Sequence, residues 1–374
     1  MFAKLNTLPR WFKVYYAAVA IILGTTGMHI PDGYLSPVFS VIMFALVLPF
    51  WIVGVAKLRA TINARSVPVI ALMAAFSFVI MMFNVPLPGG TSGHAVGAAL
   101  AAIVLGPGVA SIAVSIALII QAFLFGDGGI LAIGANCFNM AIVIPYVSFA
   151  IYQWISRNTS TKSSRRLLGA GLGGYIGLSL GAFFTAVEFG IQPALFKSAE
   201  GVPLYAPYPL AVAIPAMMIP HLLIAAFVEA LLTVSVVAYL QRANAQLLEA
   251  KPLGEPTTRA TGVLRLRSLW IALGVLVVLS PIGLLAPGTA WGEWGAEELT
   301  SLGLSFIPRG LEKLSGLWGA PIPDYDIPAL GNASLSYVLS AIVGVILTMV
   351  VVWLFSTLLA TRRASKDPNE KRVS

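Results

Sequence analysis

The chain has 374 residues, of which 58% are hydrophobic and only 10% charged, with a mean hydropathy of +0.89 and a formal net charge of +8. Soluble domains carry about 25% charged residues, so this composition excludes a soluble globular protein and describes an all-α, polytopic membrane helix bundle. The single Cys137 excludes an intramolecular disulfide and a cysteine zinc site.

In residues 1–27, Lys4, Arg10 and Lys13 lead into the apolar run Val14–Gly24 and then Thr25-Thr26-Gly27, the layout of a signal peptide. Trp11–Gly27 also approaches the length of a span. The stretch therefore reads either as a leader, removed or bypassed by a start at Met28, or as a retained first transmembrane helix. Residues 28–241 form the expected seven-helix membrane domain, with spans near 35–56, 67–86, 92–105, 108–124, 130–156, 167–190 and 208–241. Glycine and proline signals such as Gly106-Pro107-Gly108 and Gly126-Asp127-Gly128-Gly129 punctuate them. The 92–105 segment falls short of the ~20 residues a straight span needs and reads as a half-helix or a dip from the surface. Residues 242–267 are polar, contain Pro252 and Pro256, and read as a cytoplasmic linker. A two-helix unit over 268–374 follows, with spans near 268–287 and 333–359 and a basic tail. Its exterior loop holds Trp291, Glu293, Trp294, Glu297, Glu298, Trp318, Asp324 and Asp326.

Alternating these spans from an inside N-terminus puts all but Lys197, Arg309 and Lys313 of the 23 Lys and Arg on the inner side. The positive-inside rule accounts for the net charge without a nucleic-acid partner. Met28–Pro37 and the loop before His94 then face the same outer compartment.

Three histidines carry most of the chemistry. His29 lies in Met28-His29-Ile30-Pro31-Asp32-Gly33-Tyr34-Leu35-Ser36-Pro37, a rigid polar break between apolar segments. With Met28 as the terminus, its amine, the His29 amide nitrogen and the His29 imidazole make two fused chelate rings. A fourth nitrogen completes a square, the arrangement that Ni(II) or Cu(II) favours; otherwise His29 is an interfacial histidine in an ordinary loop. His94 closes Pro88-Gly89-Gly90-Thr91-Ser92-Gly93-His94 at the expected start of a membrane helix, where Thr91 or Ser92 can cap. It is a second ligand on the same side or a packing residue.

His221 and Glu229 share one apolar helix, about 12 Å apart along its axis and about 80° around it, so both cannot ligate one ion. A supporting or pathway role suits His221 better than ligation. An ionised acid at mid-bilayer costs on the order of 3 kcal/mol, so Glu229 needs either an interhelical hydrogen bond or a transport role. The run Gln121–Asn139, with Asp127 and Asn136, places amides and an acid at an exterior turn. There they support the histidines from behind or satisfy the turn alone. No phosphate loop, H-E-x-x-H or G-x-S-x-G motif is present, so ATP hydrolysis and catalysis have no support here, and no resident cofactor is expected.

Met28–Pro37, the Pro88–His94 loop, Gly126–Asn136 and the His221–Glu229 helix together resemble the CbiM/NikM family over about residues 28–245. These are the substrate-binding membrane components of energy-coupling-factor transporters for cobalt or nickel. The resemblance implies a seven-helix domain and an ion held by the Met28 amine, the His29 amide and imidazole, and His94. Asp32, Asn136, His221 and Glu229 are shell or pathway candidates. It also implies partners: a transmembrane coupling protein and cytoplasmic ATPase subunits. The unit after the linker, with Ser280-Pro281-Ile282-Gly283-Leu284-Leu285-Ala286, resembles the small CbiN/NikN-like companion subunit fused on. One departure stands out, because the family motif normally opens the protein and here 27 residues precede it. The rival from another class is a stand-alone ion- or proton-coupled carrier with Glu229 and His221 as its relay.

Overall fold

The computed structural model describes residues 29–63, 66–87, 91–249, 266–286 and 289–364. The leader or first helix of residues 1–27, Met28, most of the 242–267 linker and part of the glycine loop lie outside the described residues.

Helix α1 (Pro37–Thr61) starts where Ser36 accepts a hydrogen bond from the Phe39 amide at 3.1 Å, with Pro37 in the first helical position. That is a cap and a preset φ supplied by adjacent residues. One side of α1 is bare and apolar, with Val38, Val41 and Ile52 more than half exposed, as a lipid-facing surface requires. Helix α2 (Ser66–Met81) is apolar all round and almost wholly buried, the pattern of a helix enclosed by others. It is shorter than the expected 67–86 segment. The chain leaves it for a hairpin in which β1 (Val85–Leu87) pairs antiparallel with β2 (Thr91–Gly93).

Where the sequence predicts a span over 92–105, the structure has only the short helix α3 (Ala98–Leu105). His94 therefore sits four residues before a helix and not at its start. The capping position is Gly97, at φ +70, without a side-chain cap, so the expectation that Thr91 or Ser92 caps this helix is corrected. A glycine run tolerates strand and turn as readily as helix entry, and here the strand pairing takes it.

Helix α4 (Pro107–Phe125) returns directly after Gly106, and α5 (Ile133–Ser156), α6 (Ser164–Leu195) and α7 (Leu210–Ala243) complete the first unit. Three π-turns interrupt these helices, at Gln121–Phe125, Cys137–Val143 and His221–Ala225. Such turns concentrate at functional positions, and all three involve the end of the bundle that carries His29. In the second unit, α8 (Arg267–Leu285) and α11 (Ala333–Ala364) pack on α2. The Tyr337 hydroxyl donates to the Met82 carbonyl at 2.9 Å. Between them the loop folds over the His29 end of the first unit, with short helices α9 (Ala296–Ser301) and α10 (Arg309–Leu314). The Gly310 amide donates to the Leu204 carbonyl at 2.7 Å, and the Ile322 amide to Leu124 at 2.9 Å. Among the described residues, seven helices are long and apolar enough to cross a membrane.

Candidate metal centre

The segment after Met28 is held by side chains from the α4–α5 turn. The Ile30 amide donates to Asn136 Oδ1 at 3.0 Å, and Asn136 Nδ2 returns a bond to the Ile30 carbonyl at 3.1 Å. Asp32 accepts from the Ile130 and Leu131 amides at 2.9 and 2.8 Å, which places an anion on the N-terminal side of α5. Burial pushes the Asp32 carboxyl above its ordinary value, against the opposing pull of those amides. Two glycines make this contact feasible. A Cβ on Gly129 would stand 2.2 Å from Asp32 Oδ1, and one on Gly128 would stand 3.1 Å from the His29 Cβ. Asp32 and Asn136 thus hold backbone rather than an imidazole.

His29 is 3% exposed. Its Nδ1 lies 3.3 Å from the Asp127 carbonyl oxygen and 3.2 Å from Asp127 Oδ1, while its Nε2 is buried without any hydrogen-bond partner. A buried orphan nitrogen calls for a water or an ion. The His94 ring stands across from it, with centroids 5.2 Å apart and planes at 83°. Two imidazoles sharing one ion at metal–nitrogen distances of about 2.0–2.1 Å hold their centroids roughly 4.5 to 6.3 Å apart, from cis to trans. The observed spacing falls inside that window. His94 Nδ1 lies 3.0 Å from the Ala95 carbonyl.

The loop carrying His94 is anchored by Glu229. This carboxylate, fully buried, accepts from the amides of Val96, Gly97 and Ala99 at 2.8, 2.9 and 3.2 Å. It supplies from α7 the cap that α3 lacks in its own sequence. His221, one π-turn earlier on the same helix, has Nδ1 2.7 Å from the Met217 carbonyl. His29, His94 and His221 all line one cavity of about 80 Å³, together with Asn136, Asn139, Thr185 and Met217. The second unit contributes Trp291 and Glu293 to the same lining.

Sequence reasoning left Glu188, Glu293 and Tyr325 without a role, and read Asn139 only as the end of the Gln121–Asn139 run. Asn139 Nδ2 donates to Glu188 Oε2 at 2.8 Å, so a buried acid on α6 stands just behind the cavity. Glu188 carries the same signal that singled out Glu229, an acid inside an apolar helix. Glu293 encloses one carboxylate oxygen without a partner. Burial, then the neighbouring Asp127, pushes its pKa well above the carboxylate range. Asp324 is pushed up to about 6 by burial, then by Asp127 and Asp326. Asp127 thus has like-charged neighbours in Glu293 and Asp324.

Among the described residues, no three His, Cys, Asp or Glu side chains are grouped closely enough to hold an ion alone. A chelate joining the His29 amide to its own ring closes through Nδ1, the nitrogen that makes a six-membered ring. Here Nδ1 faces Asp127, so chelation requires the imidazole to turn by half a revolution about Cβ–Cγ. Met28 lies outside the described residues.

Residues 29–247 match the family described as the cobalt uptake substrate-specific transmembrane region, CbiM, and residues 265–361 match the PDGLE domain. A fused nickel transport protein, NikMN, of Rhodobacter capsulatus is 50% identical over 352 residues, covering 90% of this chain and 100% of the relative. A probable fused nickel transport protein, LarMN, of Lactiplantibacillus plantarum is 41% identical, covering 87% and 96%. The crystal structure of a truncated transition metal transporter superposes with a TM-score of 0.53 at 51% identity, over 57% of this chain and 98% of that one. The chain is thus a multi-pass membrane protein that belongs to the CbiM family, with a PDGLE domain following in the same polypeptide.

Proposed function

We propose that this protein is the substrate-specificity component of an ATP-driven nickel or cobalt uptake transporter, capturing the divalent ion from the exterior at Met28, His29 and His94. The observation that carries the reading is the pair of buried imidazoles, His29 and His94, with ring centroids 5.2 Å apart on the lining of one cavity. The Met28 amine, the His29 amide and imidazole, and His94 Nε2 supply four nitrogens. Binding to a deprotonated amide lowers the charge of the complex, which eases its burial. The relatives' names include both nickel and cobalt transport proteins. Metal analysis of the purified protein with competing ions decides between them, and nitrogen ligation alone prefers nickel modestly.

The amine ligand exists only if Met28 is a terminus. The family match beginning at residue 29 supports that reading, since residues 1–28 fall outside the pattern. Intact mass and N-terminal sequencing are expected to give a mature chain starting at Met28. A chain starting at Met1 with undiminished metal affinity refutes the amine-ligand scheme.

The ion is passed inward when the transmembrane coupling protein and cytoplasmic ATPases act, and the present chain contributes no catalysis. The expected result is that uptake of labelled nickel or cobalt disappears in cells lacking the ATPase subunits. Persistent uptake would instead favour a stand-alone carrier. Glu229 speaks against that rival, because its carboxylate already accepts three backbone bonds and has little capacity left for a proton relay.

A further inference from the structure

Two acids in the loop of the second unit are treated differently by the fold. Glu298 is satisfied inside the loop, where its carboxylate accepts from the Thr289 hydroxyl at 2.6 Å and from the Gly295 amide at 2.8 Å. The nearby acids of the first unit also have donors: Asp32 takes the Ile130 and Leu131 amides, and Asp127 Oδ2 takes the Tyr325 hydroxyl at 2.6 Å. Glu293 is the exception, since its Oε2 is buried and accepts from nothing. A carboxylate oxygen in that condition is costly unless a proton or a cation occupies it.

Glu293 lines the cavity that holds His29, His94 and His221, and it also lines a second cavity of about 130 Å³ formed with Asp32, Gly128, Gly129, Trp294 and Trp318. Among the described residues it is the one that the two linings share. The second cavity reaches the surface, because Gly295, Ser315 and Trp318 in its lining are exposed, whereas His29 and His94 are buried. The local chain explains the placement. Gly292 sits at φ +84 and so close to Phe189 that a Cβ there would stand 2.5 Å from the ring. That turn puts Trp291 on the first cavity and Trp294 on the second, with Glu293 between them. Tyr34 fixes the far side by donating to the Trp294 carbonyl at 2.6 Å, and the two indoles meet at 5.6 Å and 75°.

A divalent ion arrives carrying water oxygens, and a carboxylate is the donor that replaces a lost water and offsets charge at once. We infer that Glu293 is an entry ligand, which takes the incoming divalent ion from the second cavity and hands it to the imidazoles of the first without belonging to the final site. The inference rests on the site proposed above. Burial and the nearby Asp127 favour the protonated acid when no cation is present. The ion therefore replaces a proton on the Glu293 carboxylate, and that proton leaves to solvent through the second cavity. A ligand touched only in passage lowers the barrier to entry and exit alike, so its signature is kinetic: both rates change and their ratio does not.

The test is stopped-flow Ni(II) binding to the purified, metal-stripped full-length protein. Quenching of tryptophan fluorescence reads it, because Trp291 lines the cavity, and release is timed after adding excess chelator. Glu293→Gln is expected to slow association at least about tenfold, the lower end of what a charge in a cleft adds to an on-rate. Release should slow by the same factor and leave the Kd unchanged. Glu293→Asp keeps the charge on a shorter arm and should fall between. Asp326→Asn removes one charge from the same loop at an exposed position that lines neither cavity, and is expected to leave both rates unchanged. Unchanged association in Glu293→Gln overturns the inference, and so does equal slowing in Asp326→Asn, which reduces the effect to the general field of the loop. A raised Kd, through faster release or through slower association alone, makes Glu293 part of the final site or its scaffold and overturns it too. Should Glu293→Gln fail to fold, Glu293→Asp carries the test, with both rates slowed in the same proportion. The site itself stands through these outcomes provided His94→Ala abolishes equilibrium binding. If His94→Ala binds like the wild type, the site is refuted and the inference falls with it.

Discussion

Replacing His94 by alanine is expected to weaken Ni(II) or Co(II) binding by at least about 100-fold, since loss of a ligand must exceed the 10–100-fold cost typical of changes behind it. The fold should survive, because His94 lies in an extended segment before α3 and carries none of the bonds that start that helix. Those bonds come from Glu229. Isothermal titration or competition with a chromophoric chelator checks the affinity, and a thermal melt without metal checks that the apoprotein is intact. Affinity within about threefold of wild type would make His94 a packing residue and leave His29 without its partner. Histidine is the informative target because both rings are nearly buried and His29 Nε2 has no hydrogen-bond partner. A buried imidazole kept in that condition is costly unless something else occupies the gap.

The second large effect is expected at Glu229. Changing it to alanine strips the buried amides of Val96, Gly97 and Ala99 of their acceptor, a loss on the order of 3–5 kcal/mol when unsatisfied donors and a charge-assisted network are counted together. Glu229→Gln keeps one acceptor oxygen but turns an amide NH₂ group towards other donors, and should cost on the order of 2 kcal/mol. Both variants should lower the thermal midpoint in detergent and also weaken metal binding, because the displaced segment carries His94. The pairing of effects is diagnostic. A proton relay at Glu229 would let the glutamine variant keep its stability and metal affinity while losing transport. A structural anchor loses stability and affinity together.

How much of this was legible in the sequence depends on separation along the chain. Most helices were readable from apolar runs bounded by glycine, proline and basic residues, and α1 even announces its own cap in Ser36-Pro37. His29 and His94 stood out because histidine is rare in so apolar a chain. Glu229 was recognisable as an acid in need of a partner, but the partner is three backbone amides more than a hundred residues away. No periodicity encodes that contact. The late start of α3 was hidden for a related reason. A helix whose cap comes from a different helix shows no capping residue of its own, and the glycines before it fit strand as well as helix. Asp127 was visible as a turn residue, although its place against His29 depends on the π-turn ending α4 at Phe125. Tyr325 gave no signal, since a tyrosine in a loop between two spans is ordinary until the loop folds back.

The attachment of the two facing histidines has a mechanical consequence. His29 is tied through Ile30 and Asn136 to α5 and its preceding turn, whereas His94 is tied through Glu229 to α7. Each imidazole thus travels with a different helix, and an ion held by both, as proposed, would lie on the seam between two carriers. Sliding or tilting α7 against α5 changes the gap between the rings directly, while motion of the bundle as one body leaves it untouched. In the proposed site the grip on the cation would therefore be a function of helix spacing, and a force that reaches only α7, applied at the far end of its 34 residues, would arrive at the two imidazoles as a change in bite.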